Sequence, residues 1–222
     1  MTPMPCVRDV WNSHDSQVWR EALGRYWSSG IIRPENMPLE KEFESLDPGE
    51  VQEMSPDAWY QFLLDKYFRW KYTAPNRYAS TTKSLKEYRG LPSGMADLHG
   101  IKSEIFQFDQ TNIGTGLVIA CKIRGLGIAG ASGLLAVLFP QRFGTVDQFA
   151  LKALRGAGQL SEPPAGRKAK EETIGFTKAV AMIEIMRTKA IDNNRIFATD
   201  FWTPRRIDMV LWASEPRRKR QL

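Results

Sequence analysis

Apolar residues recur along much of the chain at the spacing of an amphipathic helix, three and four positions apart. The first such run covers residues 14–28 and ends before Gly30, a typical helix stop. Its apolar positions are Val18, Trp19, Ala22, Leu23, Tyr26 and Trp27. We therefore predict a helix here whose apolar face joins the core.

A second run follows Ser55 and Pro56, which are typical of an N-cap and a first helical residue. Its apolar face contains Trp59, Phe62, Leu63, Tyr67 and Trp70, and the segment 73–76 ends it. Similar patterns predict helices over 80–88, 95–106, 111–123, 128–138, 148–154, 171–193 and 203–214. Residues 161–170 are rich in proline, glycine and charge, which indicates an exposed loop. Because helical patterns follow one another without strand patterns or repeats, the predicted fold class is all-α.

The net charge of +6 on 222 residues favours a polyanionic partner, since basic side chains displace counterions from phosphates. The basic run 216–222 is compatible with a nucleic-acid contact or with a solubilising tail. The two cysteines, Cys6 and Cys121, cannot build a disulfide framework or a zinc site. The most apolar stretch, 125–140, is too short to span a bilayer, and the first residues lack a signal-peptide pattern. We expect a soluble, cytoplasmic protein that does not associate with membranes.

Gly125 and Gly127 lie between the predicted helices 111–123 and 128–138. A tight turn between packed helices favours residues without a Cβ atom, so both glycines are expected to be needed. The second helix then begins with unpaired backbone N–H groups, and the amides of residues 127–129 can hold a DNA phosphate. An ordinary helix corner packed by small residues gives the same pattern, so the glycines alone do not decide between the two.

An acidic residue follows this hairpin at the start of the next predicted helix. After the loop 141–144, Thr145 and Val146 lead to Asp147, and the helix 148–154 begins directly afterwards. Aspartate at this position is a common helix N-cap. Asp97, Asp109, Asp192, Asp200 and Asp208 are alternative acidic candidates, but none of them follows a hairpin at a matching distance.

The order of Gly-x-Gly hairpin, small-residue helix, loop and Val-Asp resembles the core of the helix-hairpin-helix DNA glycosylases related to endonuclease III. The resemblance covers about residues 109–155. Lyase-competent members of that family carry a lysine at the position of Ala129 and a catalytic aspartate at the position of Asp147, and the spacing agrees. This chain keeps the aspartate, lacks the lysine, and has no four-cysteine iron–sulfur loop.

The resemblance implies a single unit over 1–222 with two helical lobes that flank a cleft. Such enzymes extrude a nucleotide from the duplex, and an ionised aspartate stabilises positive charge on the sugar and activates water. Because Ala129 offers no amine, the resemblance implies a monofunctional DNA glycosylase that leaves an intact abasic strand. The implied partner is duplex DNA bound by a monomer, with no cofactor or metal except a monovalent cation at the hairpin. A bulky modified base, such as a hypermodified phage cytosine, would fit beside the small residues, in a role in repair or antiviral defence.

Basic and aromatic residues near these motifs supply the remaining candidates. The candidates for DNA contact are Gly125, Gly127, Ala129, Lys122, Arg69, Lys71, Asn76, Arg77, Arg205 and Arg206. The candidates for the base pocket are Tyr67, Trp70, Gln148 and Trp202. Helical spacing of the aromatic residues is also typical of core packing, and each basic residue is compatible with an ordinary surface charge.

Two other classes of function fit the same features. One is a non-catalytic helix-hairpin-helix module that binds DNA and uses Asp147 only as a cap. The other is a helical interaction protein, such as a toxin–antitoxin component, that uses the hairpin for packing. Base release, salt-dependent duplex binding without base release, and absence of DNA binding distinguish the three classes.

Overall fold

The computed structural model describes residues 6–28, 32–162 and 173–214, and every regular element in these ranges is a helix. The predicted all-α fold class is therefore confirmed. The basic run 216–222, Gly30 and most of the predicted loop 161–170 lie outside the described residues.

The helices follow one another along the chain with short connections. They are α1 (Val7–Asn12), α2 (Ser16–Ser28), α3 (Met37–Glu44), α4 (Pro48–Gln52), α5 (Pro56–Gln61), α6 (Phe68–Lys71), α7 (Pro75–Lys86), α8 (Gly94–Gln107), α9 (Ile113–Ala120), α10 (Ile128–Leu138), α11 (Gln148–Gly156), α12 (Phe176–Phe197) and α13 (Pro204–Ser214). A π-helical turn, Phe62–Tyr67, links α5 to α6, and 3₁₀ turns cover Pro34–Asn36 and Glu87–Gly90.

Local capping explains where several helices begin. Ser55 Oγ accepts a hydrogen bond from Ala58 N at 3.2 Å, and Pro56 is the first residue of α5, as predicted. The bounds of α10 match the prediction, and those of α13 match it closely. The segment 73–76 does not form a long break, because Pro75 starts α7 instead of only ending the preceding helix. The helix predicted over 111–123 is shorter, since α9 ends at Ala120.

The helices pack in two groups joined by α9 and α10. In the first group α13 contacts α2, α11 and α12, and α1 packs against α2 and α11. In the second group α8 contacts α4 and α5. The pair α9 and α10 pack against each other, with α9 also touching α8 and α12 and α10 also touching α12 and α13. Within the apolar stretch 125–140, residues 130–139 are buried in the interior. None of the described helices is both long and apolar enough to cross a membrane.

Candidate functional site

Asp147 is the N-cap of α11. Its Oδ1 atom accepts hydrogen bonds from Phe149 N and Ala150 N, both at 2.9 Å. These bonds satisfy two of the backbone N–H groups that a helix start leaves unpaired. Oδ2 accepts no hydrogen bond from residues within the described ranges. One oxygen therefore fixes the orientation of the carboxylate.

The two residues before Asp147 are held by side chains from α10 and α13. Ser132 Oγ accepts a hydrogen bond from Val146 N at 2.9 Å, and Asp208 Oδ2 accepts one from Thr145 N at 2.8 Å. All four of these groups are buried. The backbone that leads into Asp147 is thus fixed from two sides, which favours a defined position for the carboxylate.

A cavity of about 200 Å³ lies beside Asp147. Its wall combines acidic, basic and aromatic side chains from segments far apart in sequence. The lining residues are Tyr26, Ile32, Arg33, Asn36, Glu40, Trp70, Lys71, Thr73, Thr145, Asp147, Phe149, Arg205, Asp208 and Trp212. Ligand sites in globular proteins are typically concave, with apolar walls and a few polar groups that converge on the ligand.

A buried ion network forms one side of this cavity. Arg205 donates to Glu40 Oε1 at 2.6 Å and to Asp208 Oδ2 at 2.8 Å, and all three side chains are less than 10% exposed. The indole N–H of Trp70 also donates to Glu40, and the Arg205 guanidinium lies 5.1 Å from the centre of a Trp70 ring. Burial opposes the charge on Arg205, but Asp208, Tyr26 and Glu40 outweigh it and hold its pKa well above the ordinary range.

Outside this network, Asp147 and the basic residues Lys71 and Arg33 also line the cavity. Burial raises the pKa of Asp147, and the nearby Lys71 ammonium partly offsets that effect. Burial also lowers the pKa of Lys71, and Asp147 opposes the shift most. The cavity therefore makes the ionised forms of both side chains less favourable than in water.

Three tyrosines hold the segment that joins α9 to α10. Tyr72 donates to Gly125 O at 3.1 Å, Tyr88 donates to Lys122 O at 3.1 Å, and Tyr67 donates to Gly130 O. The hydroxyl of each tyrosine satisfies a backbone carbonyl that the turn or a helix presents. The π-helical turn, the end of α6 and the 3₁₀ turn Glu87–Gly90 thereby fix the shape of this turn.

The two glycines of the turn differ. Gly125 has φ +89°, and a Cβ atom there would collide with Thr81 O, so glycine is required. Gly127 has an extended backbone with φ −90°, and a Cβ atom there would meet nothing within 4 Å. The expectation that the turn needs both glycines is therefore wrong for Gly127. The space in front of Gly127 is open. Gly127 is the N-cap residue of α10 and offers no side-chain hydrogen bond to the helix start.

The predicted DNA-contact residues are spread over several surfaces. Arg69, Asn76 and Arg77 are exposed near α6 and the start of α7. Lys122, also exposed, forms an ion pair with Glu104. Ala129 is half-buried in the first turn of α10.

The remaining basic candidates are engaged by protein groups or lie in the cavity. Arg206 donates to Phe201 O at 2.6 Å and pairs with Glu44 at 3.2 Å. Arg205 was predicted to contact a phosphate or a base. It is buried in its ion network and lines the cavity, which does not fit a contact with a backbone phosphate at the surface. Lys71 lines the cavity beside Asp147.

Of the four residues predicted for a base pocket, one lines the cavity and three do not. Trp70 lines the cavity. Tyr67 and Trp202 are buried in the core, where Trp202 packs edge-on against Trp19, so neither of them lines the cavity. Gln148 is the half-buried first residue of α11 and lies next to, but not in, the cavity lining.

Sequence reasoning missed Glu40 and ranked Asp208 below Asp147. Glu40 lies in a short helix and is followed by Lys41 and Glu42, and no motif distinguishes it from a surface residue. Asp208 lies three residues after Arg205 in the apolar helix α13, and a charge pair at that spacing in an apolar helix is a usable signal of a buried network. Within the described ranges, no three histidine, cysteine or acidic side chains are placed to hold a metal ion.

Comparison of the chain with known protein families, with curated proteins and with solved structures found no match.

Proposed function

We propose that this chain is a DNA glycosylase that flips a modified base out of duplex DNA and hydrolyses its N-glycosidic bond. The observation that carries the proposal is the position of Asp147. One oxygen of this carboxylate is fixed by the start of α11, and Asp147 lines a cavity with charged and aromatic walls. This is the arrangement that stabilisation of a sugar cation requires.

In the proposed reaction, the turn before α10 holds the DNA backbone. The N–H groups at the start of α10 donate to no side-chain cap, and the space in front of Gly127 is open to a phosphate. The extruded base enters the cavity and stacks on Trp70. Asp147 then stabilises the positive charge that develops at C1′ and takes a proton from the attacking water. Ala129 supplies no amine at the start of α10, so water is the group that displaces the base.

The walls of the cavity suit a base that carries a polar substituent. Glu40, Asp208 and Arg205 present carboxylate and guanidinium groups, and Trp212 adds an apolar surface. Carboxylates and guanidinium groups bind hydroxyl groups through charge-assisted hydrogen bonds. A hypermodified cytosine of phage DNA has this chemistry, and antiviral defence is the corresponding role.

The test is mass spectrometry of bases released from a panel of damaged, methylated and phage-modified DNAs. We expect release of one class of modified base by the wild-type chain and none by Asp147→Asn. Release of no base from any DNA of the panel, by a folded protein that binds DNA, would contradict the proposal.

A non-catalytic DNA-binding module is the second candidate, and the cap formed by Asp147 favours it. The two hydrogen bonds from Phe149 N and Ala150 N give Asp147 a structural role that needs no chemistry. In that case, duplex binding that weakens with salt accompanies no base release, and Asp147→Asn leaves binding unchanged.

A further inference from the structure

Lys71 brings an amine into the cavity from a helix that the sequence motif does not include. It is the last residue of α6, and its side chain lines the cavity together with Asp147. Its Cδ and Cε atoms pack against Gly133 of α10, where an added Cβ atom would lie 3.2 and 3.3 Å from them. Gly133 lies one helical turn after Ala129, on the same face of α10. Lys71 therefore extends along the side of α10 on which the family's lysine is missing.

The side-chain nitrogen of Lys71 lies 5.9 Å from the centre of a Trp70 ring. Within the described ranges it forms no hydrogen bond or ion pair, although both Asp147 and Asp208 are near enough to act on its charge. Burial lowers its pKa, and Glu40, Asp147 and Asp208 limit that shift while Arg205 adds to it. A desolvated lysine with a larger neutral fraction is the usual form of an amine nucleophile.

We propose that Lys71 is a nucleophile that forms a Schiff base with abasic deoxyribose, so that the chain also cleaves the strand at abasic sites. This inference rests on the proposed function only in placing abasic DNA in the cavity. The expectation of an intact abasic strand was drawn from Ala129 alone. With Lys71 as the nucleophile, we expect the abasic strand to be cleaved.

The chemistry needs no oxidant or reductant. Neutral Nζ of Lys71 adds to the C1′ aldehyde of the ring-opened sugar. The carbinolamine hydroxyl then takes a proton from solvent and leaves as water, which gives an iminium ion. The Asp147 carboxylate takes a proton from C2′, the electron pair forms the C2′–C3′ double bond, and the C3′–O bond breaks. The 3′ phosphate leaves as the 5′-phosphate end of the downstream strand. Water then hydrolyses the imine and returns the free amine.

The test uses the full chain and a duplex with one preformed abasic site, made by removing uracil from a synthetic oligonucleotide. Cyanoborohydride reduces any iminium ion to a stable secondary amine, and a denaturing gel measures both the covalent adduct and the cleaved strand. We expect an adduct with the wild-type chain, and tryptic mass spectrometry should locate it on Lys71. Both signals should fall roughly a hundredfold or more in Lys71→Gln.

Two further variants separate the nucleophile from other roles of this lysine. Lys71→Arg keeps the positive charge beside Asp147 but has no neutral amine at working pH, so it should also lose the adduct. Lys152→Gln removes an exposed lysine of α11 and should leave the adduct unchanged. Melting temperatures of all three variants establish that each is folded.

An adduct located on Lys122 or on the terminal amine, or a wild-type chain that forms none, would overturn the inference. The abasic substrate contains no modified base, so the outcome is independent of the base-release assay. An adduct without any base release would leave Lys71 as the nucleophile and contradict the glycosylase. Base release without an adduct would support the glycosylase and contradict Lys71 as the nucleophile.

Discussion

Replacing Asp147 by asparagine separates its two roles, because asparagine caps a helix as well as aspartate does. The amide oxygen can still accept from Phe149 N and Ala150 N, so we expect a change in melting temperature below about 2 °C. Asp147→Ala removes both hydrogen bonds and should cost about 1 kcal/mol, or about 2–4 °C in a chain of this size. The two variants thus differ in stability but agree in lacking the carboxylate.

The expected loss of activity is much larger than the loss of stability. Removing one preorganised group that stabilises charge in a transition state costs about 100- to 1,000-fold in rate, or about 2.7–4 kcal/mol. The assay is single-turnover base release from the modified DNA identified in the panel, with protein in excess. Both variants should lose activity in this range and still bind the duplex. An Asp147→Asn protein that retains activity within about tenfold of wild type would refute the catalytic role, since tenfold is only about 1.4 kcal/mol.

Other perturbations test the turn, the ion network and the protonation of the carboxylate. Gly127→Val should leave the melting temperature unchanged but weaken duplex binding at least about tenfold, because the valine side chain blocks a phosphate. Gly125→Val should instead destabilise the fold. Equal duplex affinity for Gly127→Val and wild type would exclude this contact. Arg205→Met should lower the free energy of unfolding in urea by about 3–5 kcal/mol, because it leaves two buried carboxylates uncompensated, and a loss below about 1 kcal/mol would contradict that account. Base release should increase with pH through the raised pKa of Asp147, because the reaction needs the ionised form, and a rate independent of pH between about 4 and 7 would argue against this carboxylate.

The helices were largely predictable because local signals determine their ends. Ser55 with Pro56, Pro204, and Asp147 each start a helix through their own backbone or side-chain chemistry. These effects involve residues within one turn of each other, and a single sequence contains all of that information. Pro75 was less clear, since proline both ends one helix and starts another.

The cavity could be predicted only in part, because its walls depend on packing between distant segments. The motif located Asp147, and helical spacing with basic neighbours drew attention to Trp70 and Lys71. The pattern of charge in the sequence cannot separate the buried Arg205 from the half-buried Arg206 next to it. Only the position of Glu40, on another helix, decides that Arg205 is the buried one.

The ion network also determines when the site can exist. Glu40 and Arg205, whose side chains meet in one wall of the cavity, are 165 residues apart in sequence. Because the two residues are so far apart in sequence, the contact can form only after most of the chain is available. Closing the intervening loop also has an entropic cost. The segment 109–155, which contains the whole recognisable motif, therefore lacks both of these groups. During synthesis, the cavity beside Asp147 is completed only when α13 emerges and docks against the first helices, so a shorter, unfinished chain has the motif without the site.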